Sequence, residues 1–185
     1  LHATPPFIVH IQTPDMYNAE SAHLISRRNH LHVSVDFFFS SEQSLVIRRL
    51  DSGGRECRWR AHGAPVLTCD WSAVSGLLVS GGEDCTYRVW DAYGRHIYSS
   101  ADVEYSITSV AWAPNGRYFA VGGFNMLRVC DHKGWSYGTH HASSGSVCAL
   151  SWTADSTTLA AAGASGAVLF GCIGRRELSR GEWEV

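Results

Sequence analysis

The chain has 185 residues, 45% of them hydrophobic, which suits a packed domain and argues against disorder. Fifteen Lys and Arg stand against 17 Asp and Glu, a net charge of -2, so no basic excess points to nucleic acid or to an anionic membrane surface. The longest apolar stretch, "TLAAAGASGAVLFGCIG" from Thr158, is diluted by glycine and polar residues, and it falls short of the about 18 to 20 apolar residues that a spanning helix needs.

Residues 1–31 are rich in His, Pro and Asn and show no repeat, so they are expected to be poorly ordered and outside the fold. The first residue is Leu, and "LHATPPFIVHIQTP" lacks the basic start and apolar core of a secretory leader. The sequence reads as an internal portion of a longer chain. Residues 32–60 read as a partial unit: "HVSVDFFF" from His32 is a strand, and "SLVIRRLDSGGRECRWR" from Ser44 is two strands around a "DSGG" turn.

Three fuller units follow, at residues 61–101, 102–142 and 143–185. Each opens on an alternating strand ending in tryptophan, and Trp71, Trp112 and Trp152 recur at spacings of 41 and 40 residues. After each Trp come a polar turn, an apolar run, a glycine-containing tight turn and a third strand: "TYRVWD" from Thr86, "MLRVCD" from Met126, "AVLFGC" from Ala167. A fourth strand closes two of the units, "RHIYSS" from Arg95 and "GWSYGT" from Gly134. No stretch shows a helical period. Four short antiparallel strands recurring at about 40 residues predict an all-β fold, a partial β-propeller of about three four-stranded blades plus part of a fourth.

The chemistry-bearing residues point away from catalysis. Cys57, Cys69, Cys85, Cys130, Cys148 and Cys172 contain no C-x-x-C pair and are expected to act as small hydrophobes in a reducing compartment. His30-x-His32 and His140-His141 have no carboxylate or cysteine at ligand spacing, so no metal is expected. "GGFNMLRVCD" lacks the G-K-[ST] of a phosphate loop, and no cofactor is expected.

Ser80, His62 and Asp84 are the residue types of a nucleophilic triad, but Ser80 ends the buried run "GLLV" and no G-x-S-x-G elbow is present. No enzyme is expected. Aromatic and arginine residues scattered on loops, Tyr93, Arg95, Tyr105 and Tyr137, are candidates for a protein-binding rim. Trp59 and Trp135 are expected to be buried between blades.

The unit at 61–101 resembles the WD-repeat family through "AH" at 61 and 62, "SGGED" at 80 to 84 and "VWD" at 89 to 91. The resemblance implies a structural hydrogen-bond chain in which Trp90 donates to Ser80, Ser80 meets His62 and His62 meets Asp84. In the next unit the aligned residues are Val103, Val121, Asn125 and Cys130, so that brace is not repeated.

Within the family, "EDCTYRVWD" at 83 to 91 and "HKGWSYG" at 132 to 138 are similar to WD-repeat subunits of intraflagellar transport complex B, over about two thirds of the chain from Leu45 to Leu169. That narrower resemblance implies closing blades of a subunit's first propeller, the remaining blades being expected from a longer chain. It also implies a non-enzymatic scaffold for cilium assembly and transport, partnered by other subunits of that particle at the cilium or basal body, on the cytoplasmic side. A generic WD-repeat adaptor, a vesicle-coat or ubiquitin-ligase subunit, is the alternative.

Overall fold

The structure is a computed structural model that describes residues 22–26, 31–35, 43–49, 56–173 and 183–184. Every regular element among them is a β-strand, and none is a helix long and apolar enough to cross a membrane. β1 (Ala22–Ser26), β2 (Leu31–Val35), β3 (Ser44–Arg49) and β4 (Glu56–Arg60) pair antiparallel in chain order. β5 (Val66–Ser72), β6 (Leu77–Gly82), β7 (Tyr87–Asp91) and β8 (His96–Ser99) form the second sheet in the same way.

The remainder, β9 (Ser109–Trp112), β10 (Tyr118–Asp131), β11 (Ser136–Trp152), β12 (Thr158–Gly163), β13 (Val168–Cys172) and β14 (Trp183–Glu184), is hydrogen-bonded into one six-stranded array. It resolves into two blades. A straight run the length of β10 would hold its ends roughly 40 Å apart, yet the His132 N–H donates to the Arg117 carbonyl at 2.9 Å. β10 is therefore a hairpin whose arms are joined near Asn125, which has a left-handed φ of 51°. β11 is shared: its start, up to His141, pairs with β10, and Val147 to Trp152 pair with β12. Each blade thus has four antiparallel strands, and the first strands of successive blades, β5, β9 and the second half of β11, lie side by side.

Burial follows from stacking sheets on both faces. Alternate side chains of a strand point to opposite faces, so Leu78 enters the apolar layer with Leu45, Ile47 and Trp90, while its neighbour Val79 enters the next layer with Ile107, Trp112 and Phe119. A third layer gathers Ala120, Leu127, Val147, Leu159 and Leu169. β6 is consequently buried along nearly its whole length, whereas the outermost β8 is mostly exposed. The layers leave no room at Gly81, where a Cβ would collide with the Ile107 side chain of the next blade. Gly81→Val is expected to lower stability by about 1–3 kcal/mol through overpacking, read as a fall in thermal midpoint.

Several expectations need correction. Residues 22–26, assigned to a segment outside the fold, form β1, because the backbone of "AHLIS" pairs with β2 in register although the segment lacks the repeat's Trp. Residues 1–21 and the "DSGG" turn lie outside the described residues. Trp135 is 65% exposed rather than buried between blades. Of the cysteines, only Cys130 is fully buried, and Cys148 and Cys172 are exposed because their strands turn that position outward.

The match of Asp84 with Asn125 shifts by one. The left-handed residues of the two hairpins are Cys85 (φ 59°) and Asn125 (φ 51°), and Asp91 and Asp131 lie 40 residues apart although Trp71 and Trp112 lie 41 apart. The third blade's hairpin is one residue shorter, and nothing stands in the place of Asp84.

Candidate functional site

The residues singled out for chemistry meet at one end of the second blade. His62 comes from the segment entering β5, Ser80 from β6, Asp84 from the turn after it, and Trp90 from β7. The Trp90 indole N–H donates to Ser80 Oγ at 2.9 Å. Ser80 Oγ lies 2.8 Å from His62 Nε2, and His62 Nδ1 lies 2.9 Å from Asp84 Oδ1. A carboxylate only accepts, so Nδ1 carries the imidazole proton and Nε2 accepts from the Ser80 hydroxyl.

Burial lowers the pKa of His62 despite the neighbouring carboxylate, which keeps the ring neutral at pH 7. Asp84 is held below the ordinary carboxylate range because hydrogen bonds from the Gly63 N–H, His62 and Thr86 outweigh its partial burial.

Three further members were not evident beforehand. The Gly63 N–H donates to Asp84 Oδ2 at 2.8 Å, the Thr86 hydroxyl to Asp84 Oδ1 at 2.8 Å, and Arg88 donates to the Ala61 carbonyl at 2.7 Å while its guanidinium stands 3.5 Å from Asp84. No sequence signal marked them, because Asp84 and Thr86 lie in the turn before β7, where strand alternation does not hold. Gly82 is needed for this closeness, since a Cβ there would meet both His62 and Asp84 at 2.7 Å.

The distances are those of a Ser-His-Asp triad, but access is absent. Ser80 is 0% exposed and His62 2%, and the hydroxyl already serves an indole donor and an imidazole acceptor. The arrangement can tie β5, β6 and β7 together; it offers a substrate no open face.

A second device joins neighbouring blades. Asp70 on β5 accepts the Trp71 N–H at 2.9 Å and the Trp112 N–H at 2.6 Å, and its carbonyl accepts the Trp112 indole at 3.1 Å. The Trp152 indole reaches the Ala111 carbonyl in the same manner at 3.0 Å. Trp112 and Trp152 are thus inter-blade ties, which spacing alone did not reveal.

The four rim candidates do not form one surface. The Arg95 guanidinium lies 5.6 Å from the Tyr93 ring centroid and pairs with Asp91 at the turn after β7. Tyr137 packs edge-on against Tyr118. Tyr105 packs at a tilt against Phe124 at the opposite end of the strands, near the turns that hold Asp84 and Asn125. Trp135, packed on Tyr98, belongs with the first group.

Comparison with known proteins agrees with this geometry. The WD domain, G-beta repeat model matches residues 54–91 and 94–127. This chain is a WD-repeat protein. It is 42% identical over 146 residues to the intraflagellar transport protein 80 homologues of Rattus norvegicus and Mus musculus, an alignment that covers 79% of the chain and 18% of those proteins. It is therefore a WD-repeat chain similar to these proteins, and it spans under a fifth of their length.

The F-box-like/WD repeat-containing protein TBL1X of Homo sapiens is 28% identical over 56% of the chain and 21% of its own length. The crystal structure of Sqt1 from Chaetomium thermophilum superposes with a TM-score of 0.68 at 20% identity, over 79% of this WD-repeat chain and 41% of that one. A chain of the Mitotic Checkpoint Complex crystal structure superposes with a TM-score of 0.69 at 18% identity, over 84% and 48%. These two likenesses establish the propeller fold alone.

Proposed function

We propose that the chain serves as a non-enzymatic scaffold within a subunit of the intraflagellar transport B particle, acting in cilium assembly and ciliary transport. The observation carrying this reading is the 42% identity to intraflagellar transport protein 80 homologues. The buried Ser80 and His62 support the non-enzymatic part, because both are committed to the fold. Its partners are other protein subunits of that particle, met at the cilium and basal body on the cytoplasmic side, with the remaining blades of the propeller supplied by a longer chain.

Affinity capture of the tagged full-length protein from ciliated cells tests the reading. Enrichment of transport-particle subunits, with fluorescence at the ciliary base, is the expected result. A capture free of those subunits overturns it and turns attention to an adaptor of vesicle-coat or ubiquitin-ligase type.

The surface suited to such partners is the cluster around Tyr93, Arg95, Trp135 and Tyr137, where large rings stand exposed beside cationic side chains. Paired Tyr93→Ala and Trp135→Ala substitutions are expected to change stability by no more than about 0.5 kcal/mol each, as exposed sites do. The same pair should reduce co-capture of partners at least severalfold. Unchanged capture would move the interface elsewhere.

A further inference from the structure

The shortened hairpin of the third blade leaves a cleft where the second blade has a carboxylate. Its walls are the segment from Ala101 to Tyr105, the hairpin tip Phe124 to Met126, Arg128, and the β11 residues from His141 to Ser143, and it encloses about 460 Å³. In the second blade the corresponding corner is filled: Asp84 binds His62, Thr86, the Gly63 N–H and Arg88.

In the third blade, Val103 stands for His62, Met126 for Thr86, and no residue stands for Asp84. Arg128 repeats Arg88, each three positions beyond the left-handed residue of its hairpin. Arg128 bonds Thr139 Oγ1 through Nε at 2.9 Å and approaches the Tyr87 hydroxyl. No carboxylate among the described residues lies within ion-pair distance of its guanidinium.

We propose that this cleft binds a partner segment through an Asp or Glu side chain, whose carboxylate pairs with Arg128 in the place that Asp84 occupies beside Arg88. An apolar residue next to it packs on the exposed Tyr105 and Phe124 rings, whose centroids are 5.0 Å apart.

The other charged and titratable groups of the cleft are Asp102, Glu104 and His141. All three are exposed at its mouth, where water and salt screen them, and Glu104 is further engaged with the Tyr105 hydroxyl. Among the other lining residues Val103, Met126 and Ala142 are apolar, and Arg128 supplies the positive charge. A planar, permanently charged fork matched to a carboxylate favours an acidic side chain over its amide.

The site is independent of the ciliary assignment, and failure of either leaves the other standing. The test titrates the isotopically labelled whole chain with the peptide Ac-Leu-Asp-Leu-NH2 and, separately, with Ac-Leu-Asn-Leu-NH2, following backbone resonances and the Arg128 Nε–H. The expected result is at least tenfold tighter binding of the aspartyl peptide, with the Arg128 Nε–H shifting only for that peptide.

Arg128→Gln is expected to abolish the discrimination, and Tyr105→Ala, at an exposed ring, to weaken binding of the aspartyl peptide at least threefold. Equal response to both peptides, a silent Arg128 Nε–H in the unmodified chain, or discrimination that survives in Arg128→Gln would overturn the proposal. The wild-type resonance decides the matter even if Arg128→Gln does not fold.

Discussion

His62→Ala is expected to lower the unfolding free energy by about 3 kcal/mol or more, in the range for losing a buried, hydrogen-bonded polar group whose partners stay behind. The substitution strips Ser80 Oγ and Asp84 Oδ1 of their imidazole partner at once and leaves a void beneath Ala61 and Gly82. Chemical denaturation followed by intrinsic tryptophan fluorescence measures it. A loss below about 1 kcal/mol would mean that apolar packing holds this corner and the brace is incidental.

The effect should depend on pH in a defined direction. The folded-state pKa of His62 is lowered by burial, so the folded chain resists protonation that the unfolded chain accepts. His62 therefore contributes stability that is full above the ordinary imidazole value of 6.5 and is lost as pH falls below it. Asp84, also lowered, contributes stability that is full above 3.8 and lost as pH falls further. The advantage of the wild type over His62→Ala should shrink between pH 7 and pH 5; an advantage that grew on acidification would contradict the neutral, Nδ1-protonated ring.

The second large effect is expected at Asp70. Removing its side chain in Asp70→Ala leaves the Trp71 and Trp112 N–H groups without their acceptor, at a cost of about 2–4 kcal/mol for two unmet buried donors. The residue keeps some surface exposure, but its carboxylate is packed tightly enough that burial pushes its pKa from 3.8 up to about 6, against the pull of those two hydrogen bonds.

A raised acid behaves oppositely to His62. The folded chain binds the proton more tightly, so the stability Asp70 contributes is greatest below pH 3.8 and declines as pH rises through about 6. The wild-type advantage over Asp70→Ala should accordingly be larger at pH 4 than at pH 7, by roughly 1 kcal/mol or somewhat more, the full shift being discounted for partial exposure. Unfolding curves of the two proteins at both pH values measure it, and a flat difference would place the carboxylate in water.

The two windows meet below about pH 6, with opposite slopes. A stability profile of the unmodified chain mixes them, and only the paired substitutions separate the brace within one blade from the tie between two.

Much of this was legible in the residues. Trp71, Trp112 and Trp152 mark the units because each unit must bury the same strand end against its neighbour, so a large apolar residue recurs there. The brace was legible through the resemblance to WD repeats, and its order suits a donor-only indole, two donor–acceptor groups and an acceptor-only carboxylate. What Asp70 does was hidden, because its partner Trp112 lies 42 positions away and an aspartate in a strand carries no local sign of a cross-blade bond.

Strand period, turns and the donor and acceptor types at His62, Ser80, Asp84 and Trp90 follow from the residues, through local stereochemistry and side-chain chemistry. Tertiary structure alone decided the rest. It recruited β1, a short strand without the repeat's Trp, because backbone pairing with β2 needs no particular side chain. It also turned Trp135 outward and, by placing left-handed backbone at Cys85 and Asn125, showed that one missing residue leaves Arg128 facing a cleft where Arg88 faces Asp84. A deletion of one residue is silent in a strand pattern of period two read unit by unit; its consequence exists only where two segments distant in sequence close around the gap.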